Sequence, residues 1–258
     1  MKDEILAAYE RIAPLVRQTP LSIPPNWEPF SSWSTCSTPA PSSSAAPPIR
    51  LRCSRAEQAA AGVVAASNGN HGLGVAAASQ ARGIAAEVFV TSAVSAAKAR
   101  RIEAMGARIH CAGDDPLTAE LAARRAADAS GRVFISPYND LDVVAGQGTI
   151  GVELHRQLPQ LDAVFVAVGG GGLIGGIGAY LKAVSPQTEI VGCWPGNSPV
   201  MHQCLQAGGI VEVEELPTLS GEYSRRIGAG LGDLRPLPAR DRPQRAGRAK
   251  TRSCTRCG

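Results

Sequence analysis

Scarcity is the first thing this chain shows, and each scarcity excludes something. Aromatic residues make up 4% of its 258 residues while hydrophobic residues reach 44%. A core must therefore be built from Ala, Val, Ile and Leu, and a chain of this length buries a sizeable one as one or two domains. No apolar run approaches the ~20 residues of a membrane-spanning helix. Met1-Lys2-Asp3-Glu4 has no signal-peptide pattern, so a soluble, cytoplasmic protein without a membrane partner is expected. Lysine is confined to Lys2, Lys98, Lys182 and Lys250, and the stretch from Ser31 to Cys53 contains none. The seven cysteines are odd in number and irregular in spacing, which argues against a disulfide framework. Cys254-Thr-Arg-Cys257 is a lone CxxC and supplies half a zinc site at best.

A net positive charge is also missing from most of the chain, although the formal net charge is +4. Between Gly221 and Gly258 nine Arg and one Lys face Glu222, Asp233 and Asp241, a local net of +7, so the first 220 residues carry −3. A basic tail can mark a nucleic-acid binder. Here it lacks a recognisable module, and no nucleic-acid partner is expected.

The chain divides by pattern. Residues 3–17 read as a helix, with Ile5, Tyr9, Ile12 and Val16 on one face and Pro14 as its flaw. Thr19-Pro20-Leu21 begins an extended segment. From Ser31 to Pro48 the chain is rich in Pro and Ser with no apolar period, the composition of a disordered linker. From Ala56 to about Thr218 strands alternate with helices. The strand candidates are Val63–Ala66, Ala86–Thr91, Ala107–Cys111, Val133–Ser136, Ala163–Val168 and Ile190–Trp194. Helices are expected over Val94–Met105, Leu117–Ala129 and Ala145–Gln157. This alternation predicts an α/β fold with a parallel sheet, and apolar strands fit a sheet covered on both faces. The pattern stops after Leu219, and Gly221–Gly258 is expected to be poorly ordered like the linker.

Two glycine-rich loops carry the chemistry. Ala163–Val168 runs directly into Gly169-Gly170-Gly171-Gly172-Leu173 and then a helix. Consecutive glycines let backbone N–H groups approach an anion, and a helix N-terminus behind them favours phosphate. A plain tight turn is the blander reading, and the dinucleotide spacing GxGxxG with a following acid is not met. The other loop, Ser67-Asn68-Gly69-Asn70-His71, also joins a strand to a helix. Its hydroxyl, amide and N–H groups could cradle a carboxylate. The alternative is an ordinary helix cap at Asn70, with His71 structural.

Together, S-x-G-N-H about a hundred residues ahead of a strand–GGGGL turn resembles the fold-type-II pyridoxal-phosphate (PLP) enzymes, in their serine/threonine dehydratase and serine racemase branch. Gly62-Val63-Val64, Ala145-Gly146-Gln147-Gly148-Thr149-Ile150 and Trp194-Pro195-Gly196-Asn197-Ser198-Pro199-Val200-Met201 extend the match, which covers roughly residues 1–30 and 54–220. The resemblance implies the two-domain tryptophan-synthase-β-like fold with the cofactor in the cleft, here incomplete at the C-terminus. It implies residues 1–30 as part of a large domain, 31–53 as an aberrant linker, 54–142 as a small domain, 143–220 as the phosphate-loop part of the large domain, and 221–258 as an aberrant tail. Gly169, Gly170, Gly171, Gly172 and Leu173 would bind the phosphate, and Asn70 the pyridoxal 3′-oxygen. Ser67, Asn68, Gly69 and His71 would hold the substrate carboxylate. The racemases carry an acid–base serine at the position of Asn68, so the match favours elimination over racemisation. Trp194 replaces a glutamate of the family's metal site, so no divalent ion is expected.

The family's lysine motif, S/A-F-K-L/I-R-G-A, is absent. That lysine forms the Schiff base with PLP and removes the substrate α-proton. Its place falls in the linker, where Ala40-Pro41-Ser42-Ser43-Ser44-Ala45-Ala46 can be written GCG CCT TCA AGC TCC GCG GCG. Read two bases further on, this gives Ala-Phe-Lys-Leu-Arg-Gly. The same offset through Trp33–Pro39 permits Glu-His-Leu-Gln-His-Thr-Gly, and Ser224–Leu237 one base out of register also permits a family-like segment. The tail's arginines are then by-products of GC-rich codons.

The expected function is that of a threonine/serine dehydratase-like protein, converting a small hydroxy-amino acid to a 2-oxo acid and ammonia by β-elimination. It is expected to be inactive as written, with PLP bound non-covalently at best. The alternatives are a non-catalytic anion- or PLP-binding protein and a dehydratase of the hydroxyectoine-utilisation type. A homo-oligomer is left open. Sequencing the coding DNA across codons 31–53 is expected to reveal the lysine motif in the shifted register, and codons incompatible with Phe-Lys there would sink the frame-change account.

Overall fold

The computed structural model describes residues 1–14, 18, 21, 61–216 and 218. The expected linker over 31–53, the tail over 221–258, Lys250 and the CxxC pair lie outside the described residues.

Helix α1, Lys2–Ile12, buries Ile5, Ala8 and Ile12 on one stripe and carries Asp3 and Glu4 in its first turn, where negative charge suits the helix dipole. It ends before the expected position, with a turn at Ala13 and Pro14, because proline offers no N–H and crowds the preceding turn. The expected continuation over 15–17 lies outside the described residues.

Four parallel strands then form a sheet in the order β3-β2-β1-β4. They are β1 (Val63–Ala66), β2 (Ala86–Val90), β3 (Arg108–Cys111) and β4 (Val133–Phe134). Helices α2 (Asn70–Gln80) and α3 (Ala96–Ala104) alternate with the first three strands, and α4 (Pro116–Ser130) leads to β4. Every residue of β1 is buried. Val63 and Ala65 pack with Leu73, Val75 and Ile102 on one face, whereas Val64 and Ala66 pack with Ala123 and Ala127 of α4 on the other. β1 is apolar throughout because both of its faces are covered, whereas β3, Arg-Ile-His-Cys, lies at the sheet edge and is partly exposed.

Local chemistry sets the element ends. Asp115 caps α4 by accepting from the N–H groups of Leu117 and Thr118, Pro116 opens it, and Gly131 closes it at φ 66°. The expected strand Val133–Ser136 shortens to two residues. Ser136 Oγ turns the chain by accepting from Asn139 N at 3.0 Å. The helix expected from Ala145 starts earlier, as α5 (Leu141–Gln157), because Asp140 accepts from Asp142 N and Val143 N.

The second core lies around α1, α5 and helix α6 (Gly172–Val184). It is backed by the parallel pair β5 (Ala163–Ala167) and β6 (Glu189–Cys193), after which α7 (Val200–Ala207) follows. Helix α5 serves both cores, with Val143 in the first and Ala145 and Val152 in the second. Its crossing with α6 is backbone on backbone. A Cβ on Gly176 would strike Val144 O and Gly148, and one on Gly148 would meet Ile5 Cδ1 at 2.7 Å and Gly176 O at 2.9 Å.

The crossing generates a paired prediction. Gly176→Ala should lower unfolding stability by about 1–3 kcal/mol through overpacking. Gly175→Ala, whose Cβ meets nothing within 4 Å, should be neutral or raise stability by up to about 1 kcal/mol, since alanine favours helix. Urea midpoints of the two variants check this; equal losses would show that the crossing is not the tight point.

Candidate functional site

In the four-stranded sheet the chain runs outward from β1 through β2 to β3, then returns to β4 on the other side of β1. The reversal lies between β1 and β4, and ligands of open α/β sheets bind outside the carboxyl ends of strands at such a point. Two segments leave the sheet there: Ser67–His71 after β1 and Ile135–Tyr138 after β4.

The first loop is strapped to the end of β2. Ser67 N donates to Phe89 O at 3.0 Å. The amide of Asn68 takes Thr91 N at 2.8 Å on Oδ1 and gives Nδ2–H to Thr91 Oγ1 at 2.5 Å. Ser67 Oγ accepts from Gly69 N at 3.0 Å. With the turn closed this way, the helix cap falls on Gly69 rather than on Asn70. Asn70 is the first helical residue and its side chain is exposed. Gly72 lies so close to Ser67 O that a Cβ would meet it at 2.9 Å.

His71 is buried, at 5% exposure, and its Nε2 lies 3.0 Å from Ile135 O. A carbonyl only accepts, so Nε2 carries the proton in this contact. The imidazole thus ties the start of α2 to the end of β4.

The second loop meets the same β4 exit. A Cβ on Gly170 would collide with the ring of Tyr138, and one on Gly172 with Pro137 O and Tyr138 Cα. Gly171 sits at φ 89°, a region L side chains rarely adopt, and occupies the cap position of α6. Gly169 lies in the same turn after Val168, whose N–H donates to Cys193 O at 2.7 Å. Leu173 turns its side chain into the second core, leaving only its N–H for the loop. The first N–H groups of a helix have no acceptor within it, so this turn directs backbone donors and the helix dipole outward, as a phosphate requires.

The structure therefore links the two predicted loops through Ile135–Tyr138. His71 reaches one end of that segment, and Gly170 and Gly172 press on the other. Sequence reasoning missed Tyr138 and its support. Tyr138 OH donates to Glu120 Oε2 at 2.7 Å, and Glu120, 3% exposed, also holds Arg124 at 2.9 Å. Arg124 in turn stacks over the Phe134 ring at 4.5 Å. Tyr138 directly follows Ser136-Pro137, but no local motif announces a partner 18 residues earlier.

The fit to PLP is split. The glycine turn suits the phosphate. No described lysine suits the covalent link. Lys182 Nζ donates to Pro186 O at 3.0 Å. It stands ten residues along α6 from Gly172, about 15 Å at the helical rise of 1.5 Å per residue. Lys2 opens α1, and Lys98 lies on α3, partly exposed. Trp194 is buried and stacks on His202 with ring centroids 4.9 Å apart.

Comparison with known proteins agrees with this geometry. The family model described as "Pyridoxal-phosphate dependent enzyme" matches residues 47–238. The L-threonine ammonia-lyase of Thermotoga maritima is 40% identical over 164 residues, 64% of this chain and 41% of that protein. The chloroplastic biosynthetic threonine dehydratase of Arabidopsis thaliana is 37% identical over 195 residues, 72% of this chain and 33% of that protein. The chain thus spans less than half the length of these relatives. Among solved structures, maize serine racemase superposes with a TM-score of 0.80 at 28% identity, over 88% of this chain and 71% of its own. The processed form of threonine deaminase isoform 2 from Solanum lycopersicum gives 0.75 at 26% identity, over 88% and 69%.

Gly170→Ala is expected to push the turn off the Tyr138 ring and to weaken binding of inorganic phosphate and of PLP at least tenfold, by displacing backbone donors. Calorimetric titration checks this. Unchanged affinity would remove the glycine turn from the site.

Proposed function

The chain belongs to the pyridoxal-phosphate-dependent enzyme family, and from that premise we propose that it is a threonine/serine dehydratase-like protein that keeps the family's anion-binding loops without its Schiff-base lysine. The observation that carries this reading is the convergence of His71, Gly170 and Gly172 on Ile135–Tyr138, which supports both loops as parts of one cleft. The two separate apolar cores support a division near residue 142, with the N-terminal helix joining the second half.

On this reading the N–H groups of Gly169, Gly170, Gly171, Gly172 and Leu173 take the phosphate, and the exposed Asn70 amide reaches the 3′-oxygen. The turn from Ser67 through Asn68 and Gly69 to His71 receives the carboxylate of a small hydroxy-amino acid. Bound PLP supplies an electron sink for the charge left when the α-proton departs. That proton needs a base within hydrogen-bond reach. Asn68 is an amide and cannot serve. His71 has its Nε2–H turned to Ile135 O. No described lysine lies at the glycine turn. The likeness to threonine dehydratases supports β-elimination to a 2-oxo acid and ammonia as the reaction of this fold, and on this reading the chain holds the cofactor without turning substrate over.

The test is an absorbance titration with PLP, then borohydride reduction and peptide mapping. The expected outcome is saturable binding without a lysine-linked pyridoxyl group in the cleft. Threonine and serine turnover should lie several orders of magnitude below that of intact enzymes, as when a catalytic group is lost. Insertion of Ala-Phe-Lys-Leu-Arg-Gly in place of Ala40–Ala46, with the register restored across Ser31–Cys53, should bring back the covalent adduct. A pyridoxyl-lysine in the unaltered chain, or normal threonine turnover, would overturn the proposal.

A further inference from the structure

We propose that Asn68 and Thr91 form a clasp that presets the Ser67–His71 turn for an incoming carboxylate, making Asn68 a positioning residue rather than a ligand. The inference rests on the proposed carboxylate role of this turn and deepens it.

Three observations carry it. First, both functional atoms of the Asn68 amide are engaged by one residue: Oδ1 accepts from Thr91 N at 2.8 Å and Nδ2 donates to Thr91 Oγ1 at 2.5 Å. An amide held at both ends cannot also swing into the cleft without breaking the pair. Second, Thr91 is itself immobilised. It is 2% exposed, it directly follows β2, and its carbonyl accepts from Val94 N at 3.1 Å. The clasp therefore anchors the loop to the sheet. Third, the rest of the turn is stitched to the same place. Ser67 N reaches Phe89 O, Gly69 N closes on Ser67 Oγ, and Gly72 packs against Ser67 O.

The consequence is preorganisation. An N-terminal helix turn offers unpaired N–H groups to an anion only if the residues before it hold their shape. A loop ordered before the ligand arrives does not lose that ordering entropy on binding. The clasp also keeps the residue at position 68 from facing the substrate, so that side chain has neither the chemistry nor the freedom to move a proton.

Replacements at both ends of the clasp separate positioning from direct contact. N68A removes both hydrogen bonds, and T91V removes one while keeping the Thr91 backbone donor. N68D preserves the pair with altered roles, because a carboxylate can accept from Thr91 N and from the Thr91 hydroxyl. In the full chain, hydrogen exchange at the amides of Ser67 and Gly69, which donate to Phe89 O and Ser67 Oγ, should accelerate about tenfold in N68A. It should accelerate less in T91V and stay near the unaltered rate in N68D. A titration with L-serine in the presence of PLP, read from the same amides, should weaken severalfold in N68A because the turn is loose. It should also weaken in N68D, where the turn is ordered but negatively charged. Folding of each variant is checked by circular dichroism. Unchanged exchange in a folded N68A, or exchange in N68D as fast as in N68A, would overturn the clasp. If the exchange pattern holds while no variant responds to L-serine, the clasp stands and the proposed function of the turn fails.

Discussion

His71 donates from Nε2 to the carbonyl of Ile135, and three residues later the ring of Tyr138 lies where any side chain on Gly170 would have to go. Between these contacts runs the short exit from β4, and both glycine-bearing loops take their position from it. Its stability comes from below. Tyr138 is held by buried Glu120, Glu120 by Arg124, and Arg124 by the face of Phe134 at the end of β4 itself. The circuit closes on the strand that begins the exit, so this exit is braced from within the four-stranded sheet and its helices. A buried carboxylate is tolerable only with such partners.

The parallel sheet explains why the site falls here. Returning from the β3 edge to β4 forces α4 onto the opposite face from α2 and α3, as right-handed crossovers require. That reversal sets the Ser67–His71 and Ile135–Tyr138 segments side by side at the carboxyl ends of β1 and β4. The second core meets these segments at the turn before α6, where Gly170 and Gly172 press on Tyr138 and Pro137, while α5 and α6 cross closely at Gly148 and Gly176. Fold and site thus share one geometric cause, and the small residues that look like mere flexibility are spacing elements.

Both loops were legible in the sequence itself. The glycine turn after β5 could be read because repeated glycine before an apolar helix has few physical uses, and β1 begins and ends where its apolar run does. Failures occurred where a side-chain hydrogen bond, distant or local, overrides the apolar pattern. The cap at Asn70 moved to Gly69 because Thr91, 23 residues away, holds Asn68. β4 lost its last two residues to the hydroxyl of Ser136. Helix α5 gained four residues from Asp140, a local cap that the apolar period alone does not reveal.

What the sequence determined by itself is compositional and local: an α/β alternation, two anion-ready turns, and the absence of lysine from 31–53. Period, glycine content and residue type carry these directly, since each depends on neighbours within one turn of chain. Tertiary structure alone decided what each polar group is for. Asn68 became a strap and His71 a tie because the sheet brought Thr91 and Ile135 within hydrogen-bond reach. Tyr138 became the wall of the glycine turn because the fold brings the exit of β4 against Gly170 and Gly172. Partners this distant in sequence leave no local pattern, and a hydrogen bond exists only once the backbone has placed both ends.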